Sequence, residues 1–253
     1  MDPVSTTGSG YETTRGEDAA ADAELGLVVV WSAEEPARIG EIAWLGSGGG
    51  RSPGKVLGRS HGGDVLSFQR QRPGHTTVTG PIGGGGISRR QLTLRVCGDA
   101  IAVERVGRCP LRVNGDVVDR AVVVAGDTLH LRGQLLLLVI ERERDLPAYR
   151  SFAAAALGAF GWPDRFGILG ESAACHRLRD DIAFVAGVGG HVLVRGESGT
   201  GKELATRAVH ALSSRAAGPM VARNAATFPE ELIDVELFGN VKNFPNPGMV
   251  ARE

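Results

Sequence analysis

Apolar residues fall into two regimes along this chain. Between Leu25 and Ile140 they come in short runs: Leu27-Val28-Val29-Val30-Trp31, Glu41-Ile42-Ala43-Trp44-Leu45, Gln91 to Val96, Ala100 to Glu104, Asp127 to Leu131 and Gln134 to Ile140. Glycine and proline turns separate these runs and no helical period fills the gaps, so the stretch 25–142 predicts short strands in an antiparallel sandwich. Asn114-Gly115 predicts a tight turn, and the run Gly83 to Gly86 predicts a loop. Further along, the period changes. Ser151 to Leu157 predicts a short connecting helix, Leu178, Ile182 and Val185 or Ala186 mark one face of a second, and Leu204, Ala205, Ala208, Val209 and Leu212 mark a third. The apolar runs His191 to Arg195 and Pro219 to Asn224 read as strands, and Pro229 to Phe238 reads as a helix with proline at its first position. Strand and helix alternate here, which predicts an α/β unit with a parallel sheet over 164–253.

Composition adds boundaries and exclusions. Residues 1–24 are rich in Gly, Ser, Thr, Asp and Glu, cannot bury enough apolar surface to offset ordering, and predict a disordered tail. The charge run Glu141 to Asp145 followed by Pro147 marks a domain boundary, with a linker over 143–163. No apolar run approaches the ~18 residues that cross a bilayer, and the acidic, polar start has no apolar leader segment, so a cytoplasmic location is expected with no membrane partner. A net charge of −1 argues against a nucleic-acid binder along the whole chain, although 25 Arg against 3 Lys leave room for a local basic patch. Cys97, Cys109 and Cys175 are odd in number and lack metal-ligand spacing, so they read as reduced and structural.

The densest chemistry lies at Gly196-Glu197-Ser198-Gly199-Thr200-Gly201-Lys202-Glu203, between an apolar run and a helical pattern. Glycines there let backbone N–H groups turn toward an anion, the helix start adds its positive end, and Lys202 can reach outer phosphates. A nucleoside triphosphate is the expected guest. Glu203 stands where a hydroxyl residue usually supplies a magnesium ligand.

In the β-rich half, Gly58-Arg59-Ser60 follows a short strand, Ile87-Ser88-Arg89-Arg90-Gln91 follows the glycine loop, and Asn114-Gly115 lies beyond them. On these residues the half resembles the forkhead-associated (FHA) domain, a β-sandwich that binds phosphothreonine peptides with loops at one end. The resemblance implies that Arg59 and Ser88 hold the phosphate, that Arg89 or Arg90 adds positive charge, and that Asn114 bonds the peptide backbone. An arginine fork with a hydroxyl is what a dianionic phosphate requires. Gln91 occupies the place of a histidine common in that family, and its amide can make similar bracing hydrogen bonds.

In the second half, the loop 196–203 with Leu169-Gly170-Glu171-Ser172, Gly218-Pro219, Asn224-Ala225-Ala226 and Glu236-Leu237-Phe238-Gly239 resembles the AAA+ domain of sigma-54-dependent transcription activators, where glutamate also follows the lysine. By that resemblance Gly196, Glu197, Ser198, Gly199, Thr200, Gly201, Lys202 and Glu203 bind ATP and Mg²⁺, Ile168 and Leu169 line the adenine site, and Asn224 restrains a catalytic glutamate. Unlike that family, the chain reads Asn240-Val241-Lys242-Asn243-Phe244-Pro245-Asn246-Pro247 where the family has a small-residue loop that touches sigma-54 RNA polymerase. No Asp-Glu strand, arginine finger or DNA-binding helix-turn-helix follows before Glu253, so hydrolysis is not expected of these residues, AAA+ assembly is expected only of a full-length protein, and the chain reads as a truncated product or the front of a longer regulator.

The expected whole is multidomain: an all-β FHA-like sandwich followed by an incomplete α/β P-loop (AAA+) domain. Its expected function is a sigma-54-activator-like transcription regulator that couples a phosphothreonine signal to an ATP-binding module. The second reading is a non-enzymatic phosphopeptide-binding adaptor with a vestigial AAA+ segment. Thr13 and Thr14, beside Glu12, Glu17 and Asp18, make the chain's own phosphorylated tail a candidate occupant of the phosphothreonine site, on a tether long enough to reach it.

Overall fold

The computed structural model describes residues 23–46, 54–224 and 239. Its first half consists of twelve strands: β1 (Ala23–Ser32), β2 (Ile42–Gly46), β3 (Lys55–Leu57), β4 (Phe68–Arg72), β5 (His75–Gly80), β6 (Leu92–Cys97), β7 (Ala100–Arg105), β8 (Leu111–Val113), β9 (Asp116–Val118), β10 (Arg120–Val123), β11 (Thr128–Leu131) and β12 (Leu135–Glu143). They form an eight-stranded sheet in the order β5-β4-β2-β1-β12-β11-β8-β9 and a four-stranded sheet in the order β10-β7-β6-β3. Every ladder between these strands is antiparallel.

Alternation explains why the two sheets stack. Leu25, Leu27 and Val29 of β1, Leu135, Leu137 and Val139 of β12, Leu92 and Leu94 of β6, and Ile101 and Val103 of β7 occupy every second position and are all buried in one cluster. Each such side chain removed from water contributes about 1.5–3 kcal/mol, which is what offsets the ordering of so many short strands. The strand pattern expected for 25–142 is therefore observed, and β1 begins two residues earlier, inside the segment read as tail.

β4 and β5 had no counterpart in the sequence reading. Phe68-Gln69-Arg70-Gln71-Arg72 alternates only weakly, and the first five residues of β5, an edge strand, are exposed. An edge strand with no buried face leaves no apolar period to detect.

The second half contains helices α1 (Ala173–Val188) and α2 (Lys202–Leu212). Ser172 caps α1 by accepting a hydrogen bond from Cys175 N–H at 3.2 Å. Ile182, Ala205 and Ala208 pack with Ile168 into a small core, with Phe166, Val194, Val209 and Leu212 around it. Leu178 points outward, contrary to expectation, because the buried face of α1 also carries His176, Arg179 and Asp180.

Two further expectations are corrected. Residues 151–157 form only a short 3₁₀ turn at Ala154–Ala156, and the backbone N–H groups of Arg150, Ser151 and Phe152 instead converge on Asp180 Oδ1 at 2.8–3.0 Å. The runs 191–195 and 219–224 are not strands: among the described residues neither finds a ladder partner, and an unpaired strand lacks the hydrogen bonds that define it. The helix expected over 229–238, the segments 225–226 and 240–247 quoted above, and Thr13 and Thr14 lie outside the described residues.

Candidate functional site

Loops at one end of the sandwich create an open cavity of about 570 Å³, lined by Arg59, Gly85, Gly86, Ile87, Ser88, Arg89, Arg90, Val106, Gly107 and Arg108. The backbone of 58–60 is bound directly to the serine loop: Arg59 N–H donates to Ser88 O at 3.3 Å and Ser60 N–H to Arg89 O at 3.2 Å. Gly58 makes that approach possible, because a Cβ there would lie 2.2 Å from Arg89 O.

Gln91 holds the loop from beneath. Fully buried, it accepts hydrogen bonds at Oε1 from Ser88 N–H (3.2 Å) and Cys109 N–H (3.3 Å), and its Nε2 donates to Cys109 O at 2.8 Å. Ser88 Oγ in turn accepts from Arg108 N–H at 3.0 Å. The amide therefore performs the bracing expected of position 91.

Charge is concentrated on the same rim. Arg90 is paired with Asp64 at 2.8 Å, and that hydrogen bond holds the Asp64 carboxyl below its ordinary value. Arg59, Arg89 and Arg108 have no acidic partner among the described residues. Arg108 was missed by the sequence reading, since it belongs to no recognised spacing and reaches the cavity only because β7 returns beside the serine loop. A cleft of equal volume on the outer face of the four-stranded sheet is bordered by Arg120 and Glu104, which neutralise one another at 2.6 Å.

Asn114 is not among the residues lining the cavity. It adopts φ 51° at the β8–β9 turn, its Nδ2 donates to Asp127 Oδ1 at 2.8 Å, and its Oδ1 accepts from Thr128 N–H at 2.8 Å. Val124 N–H, and after it the Asn114 Nδ2 bond, hold the Asp127 carboxyl below its ordinary value. Its observed contacts are those of a turn residue.

The glycine loop before α2 gathers the other predicted residues. Gly199 and Gly201 have φ of 81° and 84°, in the left-handed region that side chains disfavour, and a Cβ on Gly196 would lie 2.7 Å from Thr200 Oγ1. Lys202 Nζ donates to Glu197 O at 2.5 Å and Thr200 Oγ1 donates to the same carbonyl at 2.8 Å. A lysine folded over a glycine loop at the N-terminus of a helix fits a phosphate chain. Glu203 is exposed and faces Arg207 at 3.7 Å. Leu169 is 60 % exposed, while Ile168 is a core residue at 8 % and offers little surface to a base. Asn224 is exposed at the end of the described stretch.

The turn that carries Ile168 and Leu169 is fastened by groups the sequence reading did not single out. Buried Asp164 and Arg179 pair at 2.8 Å, Arg179 donates to Ile168 O and Gly170 O, and Asp164 Oδ1 accepts from Phe166 and Ile168 N–H. Glu171 then joins this turn to the sandwich. Arg72 on β4 binds it through two nitrogens at 2.6 and 3.0 Å, and Gly161 N–H adds a third bond at 2.9 Å. Burial pushes the Glu171 carboxyl up, but bonding from His176, Arg72 and Gly161 outweighs it and brings the carboxyl to about 2. Tyr149, pushed up to about 12 by burial, stays neutral against His176 Nδ1 at 2.6 Å.

A β-sandwich with a basic loop cavity is thus followed by a helix that begins at a glycine loop. Residues 168–244 match the sigma-54 interaction domain. Similar proteins include the transcriptional regulator VasH of Vibrio cholerae, 52 % identical over 30 % of this chain and 14 % of that protein. Another is the anaerobic nitric oxide reductase transcription regulator NorR of Klebsiella pneumoniae, 41 % identical over 48 % of this chain and 22 % of that protein. The chain thus spans less than a quarter of the length of either relative. Among solved structures, the FHA domain of the CT664 protein from Chlamydia trachomatis is similar at 18 % identity, over 46 % of this chain and 96 % of that one, with a TM-score of 0.34. No helix of the described residues is long and apolar enough to cross a membrane.

Proposed function

We propose that this chain is the sensor and nucleotide-binding portion of a sigma-54-activator-like transcription regulator, in which the sandwich binds a phosphothreonine peptide and the glycine loop binds ATP with Mg²⁺. The observation that carries the sensor reading is the convergence of Arg59, Ser88, Arg89 and Arg108 on one open cavity in which none of these three arginines is ion-paired to an acidic side chain among the described residues. A phosphate dianion suits such a set, since guanidinium groups bind it by paired, charge-assisted hydrogen bonds. The ligand is a phosphothreonine-containing protein or the chain's own tail phosphorylated at Thr13 or Thr14.

The nucleotide reading is supported by the match over 168–244, since the sigma-54 interaction family is an ATP-binding one, and by the loop geometry around Lys202. Lys202 and the N–H groups of 199–202 would hold the phosphates, with Thr200 or Glu203 near the metal. Bound nucleotide would supply negative charge to a loop whose lysine now rests on Glu197 O. Cytoplasmic location accompanies this function.

Fluorescence anisotropy with a phosphothreonine peptide tests the sensor reading. Arg59→Ala is expected to lose at least about tenfold in affinity with an unchanged far-UV CD spectrum, the loss of a bidentate charge-assisted contact. Equal affinity of wild type and variant would overturn the assignment.

A further inference from the structure

The rim of the phosphate cavity already holds an anion, supplied by the chain itself. Gly85 N–H donates to Glu34 Oε1 and Oε2 at 3.0 and 2.9 Å, and Gly86 N–H lies 3.4 Å from Oε1. Consecutive backbone N–H groups aimed at one carboxylate make an anion-binding nest. The same two glycines line the cavity with Arg59, Ser88 and Arg108.

Glu34 and its neighbour Glu35 are held differently. Glu35 is built in: its carboxylate takes Gly83 N–H at 2.6 Å and Arg38 at 3.4 Å, and its backbone N–H donates to Ser32 Oγ. Glu34 is exposed and has no cationic partner among the described residues. Among the described residues only the two glycine N–H groups hydrogen-bond its carboxylate, so it can leave without breaking any other described hydrogen bond.

The charge balance points the same way. Three arginines of the cavity have no ion-pair partner among the described residues, whereas a phosphothreonine brings a charge of about −1.5 to −2. The cavity can therefore hold one more negative group than the phosphate supplies.

We propose that Gly85 and Gly86 form a second anion subsite beside the phosphate cavity, that it takes a carboxylate flanking the phosphothreonine of the ligand, and that Glu34 fills it until such a ligand arrives. This rests on the phosphothreonine reading. Glu34 is then a built-in competitor, and the preferred ligand is a phosphothreonine set among acidic residues.

The test uses the full chain and one phosphothreonine peptide scanned with single Gln-to-Glu replacements around the phosphothreonine. Wild type should favour at least one Glu position over the Gln parent. Glu34→Ala should widen that preference by about five- to tenfold, the scale of one charge-assisted hydrogen bond near solvent. Affinity for the Gln parent should stay unchanged, and Glu34→Gln should fall between wild type and Glu34→Ala. The inference is overturned if the preference is the same in all three proteins. It is equally overturned if every peptide weakens together in Glu34→Ala, the result for a carboxylate that merely staples the glycine loop. Failure of the phosphothreonine reading itself looks different: no peptide binds, and Arg59→Ala changes nothing, in which case the subsite falls with it.

Discussion

Replacing Glu171 by Gln removes one charge from the junction between sandwich and helices while keeping its shape. The Glu171 carboxyl, with an ordinary value of 4.5, is brought to about 2 in the folded chain, a difference worth about 3 kcal/mol at ~1.4 kcal/mol per pK unit. The His176 ring 3.4 Å away shares this with the hydrogen bonds from Arg72 and Gly161, and about 2–3 kcal/mol is expected. A carboxyl depressed in the folded state contributes stability that is present above its unfolded value and lost as pH falls through its folded value. Urea unfolding of wild type and Glu171→Gln should therefore differ by about 2–3 kcal/mol near neutral pH and by about 1 kcal/mol near pH ~3. A difference below about 0.5 kcal/mol at neutral pH, or one independent of pH, would refute the claim that Arg72 and Glu171 tie the two halves together.

Two further outcomes follow from the sites. Lys202→Ala should weaken binding of ATP with Mg²⁺ at least about tenfold in isothermal titration, because the lysine is the one cation of the loop; if neither protein binds nucleotide, the adaptor reading is favoured. Gln91→Leu should lower stability by about 2–4 kcal/mol at unchanged urea m-value, since it strands the Cys109 carbonyl and the Ser88 and Cys109 N–H groups, and it should weaken phosphopeptide binding by loosening the serine loop.

The sandwich was legible wherever a strand has one buried face: β1, β2, β6, β7, β11 and β12 carry alternating or continuous apolar residues that enter the core. β4 and β5 were not, because an edge hairpin built from Gln, Arg and Thr buries almost nothing with a period of two. Arg59, Ser88, Arg89 and Arg90 were singled out by the resemblance to the FHA domain, and they line one cavity. Arg108 was invisible because it arrives from a distant loop, and for Asn114 the sequence does not separate a turn asparagine from a ligand asparagine. The face of α1 shows the reverse case: apolar periodicity points to Leu178, while the buried positions Arg179 and Asp180 are polar and satisfied by a neighbouring turn and by backbone N–H groups. Likewise 191–195 has strand composition, yet a strand is defined by its partner, which no local pattern reveals.

The central claim is that the cavity between Arg59, Ser88 and Arg108 receives a phosphothreonine. Mapping amide chemical shifts of the isotope-labelled chain during titration with a phosphothreonine peptide tests it most directly. The largest changes are predicted at Arg59, Ser88, Arg89 and Arg108, with Asn114 and Gly115 little moved and the unphosphorylated peptide inert. Changes centred on the outer face of the four-stranded sheet around Arg95 and Arg120, or equal changes with the unphosphorylated peptide, would contradict it.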